Sequence, residues 1–167
     1  MEVIQWKLGV VGCFSVSRDG RSGGVALFWQ QGVDVNILSY SLGHIDAMVN
    51  GLATESIRFM GFYGNPETRL RRQSWDLLRR IAGSVTGPWL VGGDFNEIIA
   101  AHEYSGRHFQ PCLQMREFRE VLDDCGLSSL GFQGYKFTWS NRWHGAGNVQ
   151  LRLDRIVANG ELRLAFP

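Results

Sequence analysis

The 167-residue chain is 44% hydrophobic with a formal net charge of +1 at pH 7, which is enough apolar material for one core and too little length for two ordinary domains. It has no run of roughly 18 apolar residues, and its opening Met1-Glu2-Val3-Ile4-Gln5-Trp6-Lys7 lacks the basic start and long apolar stretch of a secretory signal, so a soluble intracellular protein is expected. Cys13, Cys112 and Cys125 form no Cys-x-x-Cys pair and His44, His102, His108 and His144 form no His-x-x-x-His pair, which argues against a disulfide framework or a transition-metal motif.

Along the chain, the Gly20-Arg21-Ser22-Gly23-Gly24 segment reads as a turn before a strand. It is no nucleotide-binding loop, because no Gly-Lys-Ser/Thr follows. Four strand-like runs come next, Val25 to Trp29, Val33 to Tyr40, Ile45 to Asn50 and Ile57 to Tyr63. Gly32, Gly43 and Thr54-Glu55-Ser56 supply turn chemistry between them, so this half reads as an antiparallel meander. Glu67 to Ala82 places Trp75, Leu78 and Ala82 on one stripe and stops at Gly83, the pattern of a helix that packs on a sheet. Within it, Arg69, Arg71, Arg72, Arg79 and Arg80 present either a solvated helix face or a surface for a polyanion, the solvated face being the simpler explanation.

Trp89 to Gly93 is a further strand. A second helical stripe, Met115, Phe118, Leu122 and Cys125, ends at Gly126, and Lys136 to Ser140 and Val149 to Val157 complete the strands. Mixed β-runs with interspersed amphipathic helices predict an α+β layered fold. There is no internal repeat, low-complexity tract or linker.

The chemistry concentrates in Trp89-Leu90-Val91-Gly92-Gly93-Asp94-Phe95-Asn96-Glu97, an apolar strand running into two glycines and a closely spaced acid and amide. If Asp94-Phe95-Asn96 is extended, Asp94 and Asn96 share one side and Phe95 takes the other. The carboxylate can accept a proton from water and the amide can donate to a phosphate oxygen, a pairing suited to phosphodiester hydrolysis. A strand end, a turn and a capping asparagine explain the same residues equally well on their own.

Five segments in series decide between these. Gly92-Gly93-Asp94-Phe95-Asn96-Glu97 resembles the GDxN motif of the endonuclease/exonuclease/phosphatase superfamily, the metal-dependent phosphodiesterases. The segments Gly20 to Trp29, Phe62-Tyr63-Gly64-Asn65-Pro66, Phe137-Thr138-Trp139-Ser140-Asn141 and Leu151-Arg152-Leu153-Asp154-Arg155 resemble the endonuclease domain of LINE-type (non-LTR) retrotransposon polyproteins. The resemblance implies a DNase I-like four-layer α/β/β/α sandwich, which the sequence pattern alone does not give. It also implies DNA as partner, Mg²⁺ as cofactor, nuclear location in a functional enzyme and a reverse-transcriptase domain in a longer parent polyprotein. A member acting on small phosphoesters is a third reading, which the LINE-like segments disfavour.

In that resemblance Asp94 activates or positions the attacking water, Asn96 orients water and phosphate, and Tyr63 reaches the scissile phosphate. Asp154 fixes the orientation of a catalytic histidine. Rooted between Leu153 and Ile156, Asp154 reads as a carboxylate on a buried strand that needs a partner, with a salt bridge to Arg152 or Arg155 as the plain alternative. Asn65 lies near a phosphate-contacting asparagine but out of its register. Trp139 could stack on a base, although an aromatic on a strand is more often core. Asn141 and Arg142, with Trp143 and His144, form a mixed aromatic and cationic loop that suits either nucleic-acid contact or an ordinary turn.

Two departures stand against these matches. No residue corresponds to the family's metal-binding glutamate or to its Ser-Asp-His segment, so no metal ligand is assigned. The expected product is an incomplete sandwich spanning residues 1–167 as a single domain, either a weak or inactive endonuclease or a non-catalytic nucleic-acid-binding remnant.

Overall fold

The computed structural model describes residues 9–17, 24–51, 56–107 and 112–166. The Gly20 to Gly23 part of the anticipated turn, Thr54, Glu55, His108 and the first eight residues lie outside the described set.

A six-stranded mixed sheet organises the molecule, in the order β3-β4-β5-β6-β11-β8. Its strands are β3 (Asp34–Ser41), β4 (His44–Asn50), β5 (Ile57–Tyr63), β6 (Trp89–Asp94), β8 (Ser128–Ser129) and β11 (Asp154–Ala158). β3, β4 and β5 pair antiparallel as a meander, whereas β6 joins β5 in parallel. A parallel neighbour needs a crossover, and helix α1 (Arg71–Ala82) supplies it.

Side chains alternate across this sheet, so each face has its own cover. Met60, Phe62, Trp89, Val91 and Val157 point to the face covered by α1 and α2 (Cys112–Asp124), where they join Trp75, Leu78, Phe95 and Phe118 in the main core. Trp75 stacks on Phe118 with ring centroids 4.8 Å apart, and Phe95 lies 4.9 Å from Phe62, so the aromatic rings bridge sheet and helices. Gly126, at φ +65, ends α2 in the left-handed conformation that glycine adopts at least cost.

The opposite face of β4 and β5 is covered by β2. The Val25 Cγ1 atom lies 3.3 Å from the position a Cβ on Gly61 would take. β2 (Gly24–Trp29) therefore does not extend the meander, as its spacing suggested. It forms a separate hairpin with β1 (Gly12–Ser17), a strand the sequence pattern did not expose. Further along, the same face carries Ile156, which is 49% exposed.

A small sheet of β7 (Tyr104–Ser105), β10 (Gln150–Leu151) and β9 (Trp139–Ser140) flanks the rim. The expected continuous strand from Val149 to Val157 is thus two strands. At the break, Arg152 and Leu153 turn inward and Phe95 N–H donates to Leu153 O. The predicted helix from Glu67 likewise begins as a separate turn at Thr68–Leu70 before α1. A short helix α3 (Gly160–Ala165) follows β11, capped by the Asn159 side chain accepting from Leu162 N–H. No helix among the described residues is long and apolar enough to cross a membrane.

Candidate active site

Three strand ends meet at one rim of the sheet. Tyr63 closes β5 and is the register partner of Asp94 at the end of β6, while Asp154 at the start of β11 is Asp94's partner on the other side. Register partners carry their side chains on one face, so the phenol and the two carboxylates form a row across three strands. The row lies on the face opposite α1 and α2.

Two glycines let the backbones close up here. A Cβ on Gly93, at φ +146, would sit 2.0 Å from Phe62 O, and one on Gly64 would sit 2.3 Å from Phe95 O. Gly64 N–H donates to Asp94 O at 2.7 Å, tying the loop after β5 to the end of β6.

Asn96 does not continue the strand. It stands at φ +54, outside the extended conformation that its pairing with Asp94 requires. Instead Asn96 N–H donates to Asp94 Oδ1 at 2.8 Å and its Nδ2 donates to Gly64 O at 2.8 Å. This side-chain turn uses the amide donor on the backbone, which leaves Asn96 positioning Asp94 and the Gly64 loop. Phe95 is fully buried in the core, on the side the sequence assigned to it.

Burial raises the Asp94 carboxyl above its ordinary range. The Asn96 N–H opposes that shift, the neighbouring Asp154 adds to it, and Arg71 pulls it back. The folded chain therefore holds this proton more tightly than the unfolded chain does. The resulting penalty is absent below the ordinary value near 3.8 and grows until it is complete above the folded value. Asp94→Asn keeps the turn's acceptor and removes the charge, so at pH 7 it should unfold at a higher temperature than the parent. Melting curves recorded down the acid range should show that gap closing; a constant gap would contradict the assignment.

Asp154 is exposed rather than embedded, and the alternative pairing with Arg152 or Arg155 is not among the ion pairs of the described residues. Both arginines instead share Glu103, with Arg155 Nη2 at 2.9 Å and Arg152 Nε at 3.9 Å from its oxygens. The Asp154 backbone is fixed by Thr138, whose Oγ1 accepts from both Leu153 N–H and Asp154 N–H at 3.0 Å.

The peripheral residues separate into staples and open surface. Asn65 Oδ1 accepts from Glu67 N–H at 3.0 Å, while its carbonyl accepts from Arg71 Nε. Asn141 is a loop staple, donating to Gly147 O and accepting from Trp143 and Val149 N–H. Trp139 is 44% exposed, contrary to the core position expected of it, because its strand is two residues long. Arg142, at φ +59, and Trp143 are exposed beside it.

Sequence reasoning missed the ion pairs beneath the rim. Glu97 is 1% exposed and pairs with Arg71, taken above as a member of a surface cluster; Arg71 also reaches Asn65 O and Pro66 O. One buried pair thus clamps the loop after β5 to the loop after β6. Burial also raises the Glu97 carboxyl, against the pull of Ile98 N–H and Arg71. Of the other arginines, Arg79 pairs with Asp124 at 2.8 Å and Arg69 with Glu67 on the surface. His44 is buried between Ser41 Oγ at 2.7 Å and Ser39 Oγ at 3.0 Å, and burial lowers its pKa.

The sheet architecture is that of a known fold. The endonuclease/exonuclease/phosphatase family model matches residues 3–167, and the chain belongs to that family. Among solved structures, it is similar to the endonuclease domain of TRAS1, a telomere-specific non-LTR retrotransposon, with TM-score 0.67 and 13% identity over 89% of this chain and 67% of that one. It is also similar to a variant of the 3′ phosphatase NExo from Neisseria bound to product DNA hairpin, with TM-score 0.65 and 18% identity over 95% and 70%. The human Nocturnin catalytic domain with bound sulfate anion gives TM-score 0.55 and 14% identity over 95% and 64%. No curated protein matches the chain.

The family is generally Mg²⁺-dependent. Asp94 and Asp154 offer two carboxylates at the rim, but among the described residues no group of three His, Cys, Asp or Glu side chains could hold an ion. These residues do not build a complete site for it, so the chemistry derived for this chain rests on its own side chains.

Proposed function

We propose that the chain is a phosphodiesterase domain acting on DNA, the endonuclease domain of a LINE-type retroelement, with low turnover. The observation that carries this reading is the row Tyr63, Asp94 and Asp154 across three adjacent strands. An acid whose affinity for a proton is raised is a better proton acceptor from water near neutral pH, which suits Asp94 to a general base. The Tyr63 hydroxyl can donate to a phosphoryl oxygen as charge develops on it, and Asn96 holds the carboxylate by its turn. Asp154 adds negative charge beside Asp94 and so helps keep its basicity up.

Residues 1–167 act as one domain in this reading, an incomplete α/β/β/α sandwich. Its support is the helix-covered sheet with the β1–β2 hairpin on the other face. A longer parent polyprotein with a reverse-transcriptase domain, and a nuclear location, belong to the same proposal. Mg²⁺ is the expected ion. The described residues build no complete site for it, so activity should be low.

A second reading, a non-catalytic DNA-binding module, is favoured by the exposed Trp139, Arg142 and Trp143 loop beside the thin donor set. Supercoiled plasmid incubated with the chain separates the two. Nicking that needs Mg²⁺ and stops with EDTA supports the endonuclease. Salt-sensitive binding without any nicking supports the binding module, and neither activity at low salt would reject both.

A further inference from the structure

Beneath Asp154 the chain buries more positive charge than it neutralises. Arg152 and Arg155 are 5% and 3% exposed, and both turn to the single carboxylate of Glu103. Arg155 uses that carboxylate well, with Nη1 and Nη2 on its two oxygens at 3.3 and 2.9 Å. Arg152 does not. Its guanidinium lies 3.9 Å from Glu103, makes a long hydrogen bond of 3.4 Å to Gly131 O and rests on the Phe132 ring. The Nε atoms of both arginines are buried without a hydrogen-bond partner. An uncompensated buried cation is costly, and burial and the adjacent Arg155 accordingly depress the Arg152 pKa.

These arginines wall a cavity of about 370 Å³ that also touches Lys136, Thr138, Asp154 and Ile156. The lining carries Lys136, Arg152 and Arg155 against Asp154, and counting Glu103 behind the arginines still leaves one positive charge for an incoming group. The planar guanidinium suits the oxygens of a phosphate, and the cavity shares Asp154 with the rim row.

We propose that this cavity seats a backbone phosphate of the DNA strand, gripped by Arg152, next to the phosphate addressed by Asp94. The proposal rests on the phosphodiesterase reading and adds a substrate subsite to it. The anion completes the coordination that Glu103 leaves unfinished at Arg152. Asp154 borders the same cavity and opposes the anion, so the seat depends on the cations outweighing it.

The test uses the full chain with inorganic phosphate as probe, followed through the arginine Nε–H resonances in ¹⁵N NMR. Phosphate, but not matched chloride, should shift Arg152 and Arg155 while leaving Arg71 in place; no shift, or equal shifts at all three, would overturn the seat. Arg152→Met should weaken phosphate binding about tenfold or more and flatten the log–log salt dependence of DNA binding by about 0.9, whereas Arg152→Lys should keep most of that slope. An unchanged slope in a folded Arg152→Met protein would contradict the proposal, and the wild-type resonances decide the matter if that variant does not fold. Asp94→Ala should leave the phosphate shift intact. A shift without nicking therefore upholds the seat against the endonuclease reading, and nicking without a shift does the reverse.

Discussion

Glu103→Gln is expected to destabilise the chain by about 3–5 kcal/mol, because it strands two guanidiniums in the interior with no counter-charge. Glu103 accepts from Arg155 on both oxygens and from Ile99 N–H at 2.8 Å. It thereby fixes the loop leaving Asn96 to the start of β11. Arg155 extends the tie, donating to Glu97 O at 3.3 Å and Arg152 O at 3.1 Å. Losing the carboxylate should loosen the rim as well as the core. The expected loss corresponds to a fall in midpoint of about 6–20 °C for a chain of this size, measurable by calorimetry. Glu67→Gln is the control. Its pair with Arg69 is solvent-exposed, with side chains 55% and 81% accessible, and such pairs contribute about 0–1 kcal/mol. Equal effects of the two substitutions would refute the role given to the buried cluster.

The second large effect concerns chemistry. Asp94→Ala should lower plasmid nicking by roughly 100-fold to 10,000-fold, the usual contribution of a positioned general base. Folding should survive, since the carboxylate contributes one side-chain acceptor, to Asn96 N–H, and is itself penalised by burial. Tyr63→Phe removes only a neutral donor and should cost less. A folded Asp94→Ala protein that still nicks at the parental rate would place the base elsewhere.

Much of this site is legible in the sequence. The run Trp89-Leu90-Val91-Gly92-Gly93 reads as a buried strand ending in a tight approach, and Asp94 stands at its end as expected. The helices were legible because Trp75 and Leu78, and Met115, Phe118 and Leu122, recur at helical spacing. What the sequence does not encode locally was lost. The row of Tyr63, Asp94 and Asp154 depends on a parallel register made across a crossover and an antiparallel one across 60 residues of chain. Arg71 and Glu97 are 26 residues apart and Arg155 and Glu103 are 52 apart, so no periodicity links them. Asn96 misled for a local reason: an Asx turn and an extended strand share the same residues, and only the backbone φ separates them. Trp139 was assigned to the core by residue type, yet its two-residue strand leaves the ring half open.

In the proposed site Asp94 and Asp154 work as a unit, the second acid keeping the first basic toward one phosphate. The most direct measurement is nicking by Asp94→Ala, Asp154→Ala and the double variant under one set of conditions. Groups that act together are strongly non-additive, so the double variant should be no slower than Asp94→Ala alone. Losses that multiply, or a double variant as active as the parent, would show that the two acids at the ends of β6 and β11 are not one site.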